Sequence, residues 1–142
     1  MTTPTTFSML RAASGLSQSE AAAVLRIGLS SVKKFETGRR TPSPGIIDEL
    51  AEIVQLIQKA ADNAEQMIDE QVERFGGHPE SLHLGVCADD HEANALGFPA
   101  ASVHRMAISR AAAYAISAGI NVVIGYRGAD PETAAAVDAH EL

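Results

Sequence analysis

Apolar and polar positions change rhythm along the chain, and each rhythm implies a different element. In "TPTTFSMLRAASG", residues 3–15, Phe7, Leu10 and Ala13 fall on one helical face, and Gly15 supplies a stop. In "LSQSEAAAVLR", Ser17 precedes Glu20 by three positions, the reciprocal pair that satisfies two orphan amides at a helix start, and Ala21, Val24 and Leu25 follow as the apolar face. Leu29 to Thr37 reads as a third helix, with Val32 and Phe35 turned inward and Gly38 as its stop.

"TPSPG", residues 41–45, then forces a turn, because Pro42 and Pro44 lack amide donors and keep the residues before them extended. From Ile46 to Phe75 the pattern is strongly helical: Ile46, Ile47, Leu50, Ile53, Val54, Ile57, Ala60, Ala61, Ala64, Met67 and Ile68 recur at three- and four-residue spacing among acidic residues. So long a helix exceeds what one three-helix module can cover, and its remaining apolar stripe needs another surface. "GGHP", residues 76–79, punctuates the chain and sets the expected boundary between a domain over 1–75 and another over 76–142.

Beyond it the rhythm shortens to a period of two. "SLHLGVC" alternates Leu82, Leu84 and Val86, and "NVVIGY" is rich in β-branched residues, so both read as strands. Between them "FPAASVHRMAISRAAAYAISAG" is an Ala-rich helix, with Val103, Ala107, Ala111, Tyr114 and Ala118 on one side and Ile108 and Ala115 widening it. The expected architecture is mainly α: a helix-turn-helix N-terminal domain, a long linking helix, and a small C-terminal α+β domain. Its sheet edges call for pairing with another chain, and a homodimer through this domain is expected.

Composition narrows the functions open to such a chain. With 142 residues and 46% hydrophobic residues it can bury a core, but only 4% are aromatic and none is Trp, so that core is built from Ala, Ile, Leu and Val. This favours close helix packing over a large cofactor pocket. No apolar run reaches bilayer length and no charged start leads into an apolar stretch, so neither export nor membrane insertion is indicated. The single cysteine, Cys87, has no partner for an internal disulfide, which fits a cytoplasmic protein.

The formal net charge is −7, which at first counts against nucleic acid. Its distribution reverses that reading. Residues 1–45 hold six basic side chains (Arg11, Arg26, Lys33, Lys34, Arg39, Arg40) against Glu20 and Glu36, a net of +4, while the remaining 97 carry 5 basic and 16 acidic groups, a net of −11. Attraction to phosphate acts within about a Debye length, roughly 8–10 Å, so a basic module works beside an acidic one. Two short helices joined by a tight turn, the second presenting its N-terminal residues to bases, are the helix-turn-helix solution for entering a major groove. Here Ser17 to Leu25 is the first helix and Leu29 to Thr37 the recognition helix.

At these residues the sequence resembles the Xre/Cro family of phage-repressor-like DNA-binding domains. The likeness lies in "LRAASGLSQSEAA", "VLRIGLSSVKKFETG" and "GRRTP", and covers roughly residues 7–55. It implies that Gln18 hydrogen-bonds a phosphate and buttresses a base contact, and that Leu29, Ser30, Lys33 and Lys34 face base edges of double-stranded DNA. It further implies that Ser31, Thr37, Arg39 and Arg40 hold the flanking backbone, and that Arg11 and Glu36 form an internal ion pair. Two departures stand out. Arg26 and Gly28 occupy places where the family usually has Gly and a capping Ser or Thr, which points to a shifted turn, and Leu29 with Ser30 replaces longer amides.

"LGFPAASVHRMAISRAAAYAISAGINVVIGY" is in turn similar to the C-terminal part of YdiL-like and anti-CRISPR-associated repressors. That likeness implies a small dimerisation domain, and a dimer that represses the promoter of its own operon.

Other chemistry is weaker. "HPESLHLGVCADDH" gathers His78, His83, Cys87, Asp89, Asp90 and His91, but without paired Cys or a His-x-x-x-His spacing, and no metal site is expected. Cys87 with His91 or His104 has nothing to orient it as a nucleophile, so neither an enzyme nor a cofactor is expected. Tyr114 reads as core, His104, Arg105 and Arg110 as helix rim or dimer seam, and "ADPETAAAVDAHEL" as a frayed extension or short helix. The chain therefore reads as a dimeric repressor at a pseudo-palindromic operator. The alternative is an antitoxin-like regulator whose acidic C-terminal half binds a protein partner.

Overall fold

A computed structural model of the chain describes residues 3–74, 76–77 and 81–128. The chain divides into two compact units, 1–56 and 57–142. Phe75, His78 and the C-terminal stretch from Ala129 onward lie outside the described residues.

The first unit contains α1 (Thr6–Ser14), α2 (Gln18–Leu25), α3 (Leu29–Thr37) and the opening turns of α4 (Pro44–Arg74). Each short helix is bounded by local chemistry. Thr5 caps α1 and Ser17 caps α2, each in a capping box, closed by Ser8 and Glu20 respectively. Caps of this kind contribute about 1 kcal/mol apiece. Gly15 and Gly38, both at φ 77°, end α1 and α3 in the left-handed conformation. Pro44 does not belong to the turn before α4: it is the helix's first residue, where a missing N–H costs nothing and the fixed φ suits the helix.

Phe7, Leu16, Ala21, Leu25, Val32, Phe35 and Leu50 make the core of this unit. The Phe7 and Phe35 rings meet at 5.3 Å, tilted by 58°, and join α1 to α3. Two polar ties reinforce the same junction: the Thr5 hydroxyl donates to the Phe35 carbonyl at 3.0 Å, and Arg11 Nε donates to Glu36 Oε1. Arg11 also donates to the Leu16 carbonyl at 2.9 Å, so one guanidinium ties both the α1–α2 turn and α3.

The second unit contains the remainder of α4, β1 (Leu82–Val86), α5 (Asp90–Ala95), α6 (Ala101–Ser117) and β2 (Val122–Tyr126). Among the described residues the sheet has two strands, parallel, with Leu82 opposite Val122 and Val86 opposite Tyr126. A parallel pair needs a crossover, and α5 and α6 supply it. α5 has no counterpart in the periodicity of the sequence. It starts where Asp89 caps the Glu92 amide at 2.9 Å, an Asp-x-x-Glu signature that the neighbouring histidines and carboxylates obscured.

Its core gathers Ile57, Ala64 and Ile68 of α4, Leu82 and Leu84 of β1, Phe98, and Val103, Ala107, Ile108 and Ala111 of α6. His104 lies in this core rather than on the helix rim. It is fully buried, edge-on to the Phe98 ring at 5.0 Å, and its Nδ1 accepts the Cys87 amide at 3.4 Å. Tyr114 is half-buried rather than core, because its hydroxyl reaches out to donate to Asp69 Oδ1 at 2.5 Å.

The two strands differ in cover. Leu82 and Leu84 of β1 are buried, whereas Ile124 and Tyr126 of β2 are 50% and 55% exposed. The Leu82 amide donates to the Asn121 carbonyl and the Arg127 amide to the Val86 carbonyl. Alternate residues of a parallel strand face one neighbour, so Val122, Ile124 and Tyr126 turn their peptide groups away from β1. Beside that edge, an apolar groove of about 660 Å³ runs between α6 and β2, lined by Ile108, Ala112, Ile116, Ile124 and Tyr126 with Arg105 among them.

Candidate nucleic-acid interface

α3 is nine residues long, about 13 Å at 1.5 Å per residue. At about 100° per residue, Leu29, Lys33, Thr37, Ser30 and Lys34 fall in that order across an arc of about 140°, and all five are exposed. Val32 and Phe35 lie on the other side, buried against the rest of the unit. The helix therefore offers a polar face with two ammonium groups and hydroxyls, held rigid from behind by aromatic packing.

The proposed contact residues do not all share that face. Ser31 is half-buried on the flank next to Phe35, where its hydroxyl meets Arg40 Nη1 at 3.3 Å. Arg40 folds back over the Phe35 ring, 5.7 Å from its centroid, and its amide donates to the Lys34 carbonyl at 3.3 Å. Ser31 and Arg40 thus form a second, preorganised cluster. Arg39 projects from the turn beyond Gly38 and is exposed. The Thr37 hydroxyl points back along its own helix to the Lys33 and Lys34 carbonyls, both at 3.3 Å. Gln18 is the first residue of α2, half-buried.

The turn between α2 and α3 is not shifted. Arg26 itself takes the left-handed conformation, φ 58° and ψ 45°, and closes α2 with its amide on the Ala23 carbonyl while the Ile27 amide reaches the Ala22 carbonyl. Gly28 has an ordinary φ of −71° and starts α3 with no side-chain cap. Among the described residues Arg26 is the one non-glycine at positive φ. Its side chain is exposed at the turn that leads into α3.

Among the described residues no three His, Cys, Asp or Glu side chains converge as metal ligands. His104 and Cys87 meet, but both are buried in the core. Among those residues, too, no helix is long and apolar enough to cross a membrane.

Three short helices, the second and third joined by a tight left-handed turn and the third bearing an exposed cationic face, form a helix-turn-helix arrangement. Residues 5–62 match the family model described as a helix-turn-helix domain. No curated protein matches the chain.

Proposed function

We propose that the protein is a dimeric, sequence-specific DNA-binding transcriptional repressor that occludes the promoter of its own operon at a pseudo-palindromic operator. The observation that carries the reading is the exposed arc of α3, with Lys33 and Lys34 on the outer face of a helix-turn-helix. In this role Leu29, Ser30, Lys33 and Lys34 face base edges, while Gln18, Ser31, Thr37, Arg39 and Arg40 hold the flanking phosphates. The cluster of Ser31 and Arg40 supports this division, because a guanidinium already stacked on Phe35 loses little freedom when it meets a phosphate.

Dimerisation through the C-terminal domain, 76–142, is part of the same proposal. It is supported by the open edge of β2, where two copies running antiparallel about Ile124 would pair Val122 with Tyr126 and satisfy the outward peptide groups. Such a two-fold matches two half-sites of a palindrome. The same groove, beside Ile116, Ile124 and Tyr126, favours a second reading in which a different protein docks there, as in an antitoxin-like regulator.

Fluorescence anisotropy with DNA from upstream of the protein's own gene tests the reading. Binding should exceed that to random duplex and weaken steeply with salt. Lys33→Ala or Lys34→Ala should cost about 1–3 kcal/mol on the specific duplex, and Arg39→Ala should weaken all duplexes alike. Equal, salt-insensitive affinity for both duplexes refutes DNA recognition. A stable hetero-complex on co-purification favours the protein-partner reading.

A further inference from the structure

Leu29 is the anomaly of the outward face of α3. It is 38% exposed on an arc otherwise made of Ser30, Lys33, Lys34 and Thr37, and its neighbour Gly28 is exposed as well. The core of the first unit does not need it: Val32 and Phe35 already supply the buried side of the helix. The 38% of Leu29 that stays in water on a charged face gains nothing for folding, and that part of its surface becomes useful only when something apolar covers it.

In a major groove the apolar group within reach of a side chain is the C5-methyl of a pyrimidine, which protrudes from the base edge of thymine and, equally, of 5-methylcytosine. Residues at the N-terminal end of a recognition helix are the ones that meet base edges. Leu29 stands first in α3, and Lys33 lies one turn on along the same face. We propose that Leu29 reads a C5-methyl pyrimidine in each half-site, setting one position of the target by apolar contact while Lys33 and Lys34 supply charge. The inference rests on the helix-turn-helix reading of the first unit and names one base that this reading leaves open.

The probe is the duplex that the full-length protein enriches from a randomised library, with each thymine replaced in turn by deoxyuridine, which removes the methyl and keeps the hydrogen-bonding edge. One position per half-site should lose about threefold to fivefold in affinity, the worth of one buried methyl. Leu29→Ala should bind that duplex more weakly and no longer distinguish thymine from deoxyuridine at that position. Lys34→Ala should bind more weakly still yet keep the discrimination. If cytosine is enriched at that position instead, 5-methylcytosine should bind more tightly than cytosine to the wild type alone. Unchanged thermal melting of Leu29→Ala shows that the fold is intact. Discrimination that persists in Leu29→Ala, or no methyl-sensitive position at all, overturns the inference while leaving DNA binding standing. Failure to enrich any sequence overturns the helix-turn-helix reading and this inference with it.

Discussion

The two units solve the same problem, burying a helix's apolar side, in opposite ways. In residues 1–56 every short helix is closed by a cap or a left-handed stop, and α1 is bolted to α3 by Phe7 on Phe35, Thr5 on the Phe35 carbonyl and Arg11 on Glu36. What it leaves outside is polar, with Leu29 and Met9 as the large apolar exceptions. Among the described residues of 57–142 the core is equally buried around His104 and Phe98, but β2 keeps Val123, Ile124 and Tyr126 in solvent and has no second strand on its other edge. A unit finished in itself leaves a polar face free, whereas an open strand edge is a template on which another strand can pair.

The sharpest way to break this contrast is Phe35→Ala. It removes the ring that Phe7 and Arg40 both lean on and should cost about 3–5 kcal/mol, abolishing DNA binding while association through the second unit survives, as checked by light scattering. Ile124→Asp inverts the experiment. A charge at the centre of the open strand should shift the protein to monomer at micromolar concentration, with far-ultraviolet circular dichroism unchanged and affinity for a two-half-site duplex reduced at least tenfold.

Arg26→Gly probes the turn instead. Relief of the left-handed strain should raise stability by about 0.5–1 kcal/mol in urea denaturation, with the helix content unaltered. The smallest effect concerns the acidic side of α4. Burial, with Asp62 and Asp69 close by, holds the Glu65 carboxyl above its ordinary 4.5, so the folded state prefers the protonated form. Its stabilising contribution is present below the unfolded value and is lost as pH rises through the folded one. Glu65→Gln should therefore raise the melting temperature slightly at pH 7 and make no difference below about pH 4.

Much of the fold was legible because local chemistry and periodicity agree. Ser17 with Glu20, and Gly15 and Gly38, bound the first helices at the residues where the caps occur, and the long apolar stripe announced α4. What stayed hidden depends on the third dimension. α5 is six residues long, too short for a period, and its Asp89 cap was lost among candidate metal ligands. His104 looked like a rim residue because nothing in the sequence tells that Phe98 and the Cys87 amide close over it.

The cationic face shows the same limit. Helical spacing placed Lys33, Lys34 and Ser30 together, but the pairing of Ser31 with Arg40 spans nine positions and depends on how the chain turns beyond Gly38. The left-handed Arg26 could not be read from a residue that usually avoids that conformation.

Cys87 has a practical consequence. The sole sulfhydryl of the chain is fully buried, so thiol reagents find no target while the second unit is closed. The rate at which a maleimide labels the native protein then clocks the opening of that unit alone, and any slowing with rising protein concentration reads out how strongly assembly holds it shut.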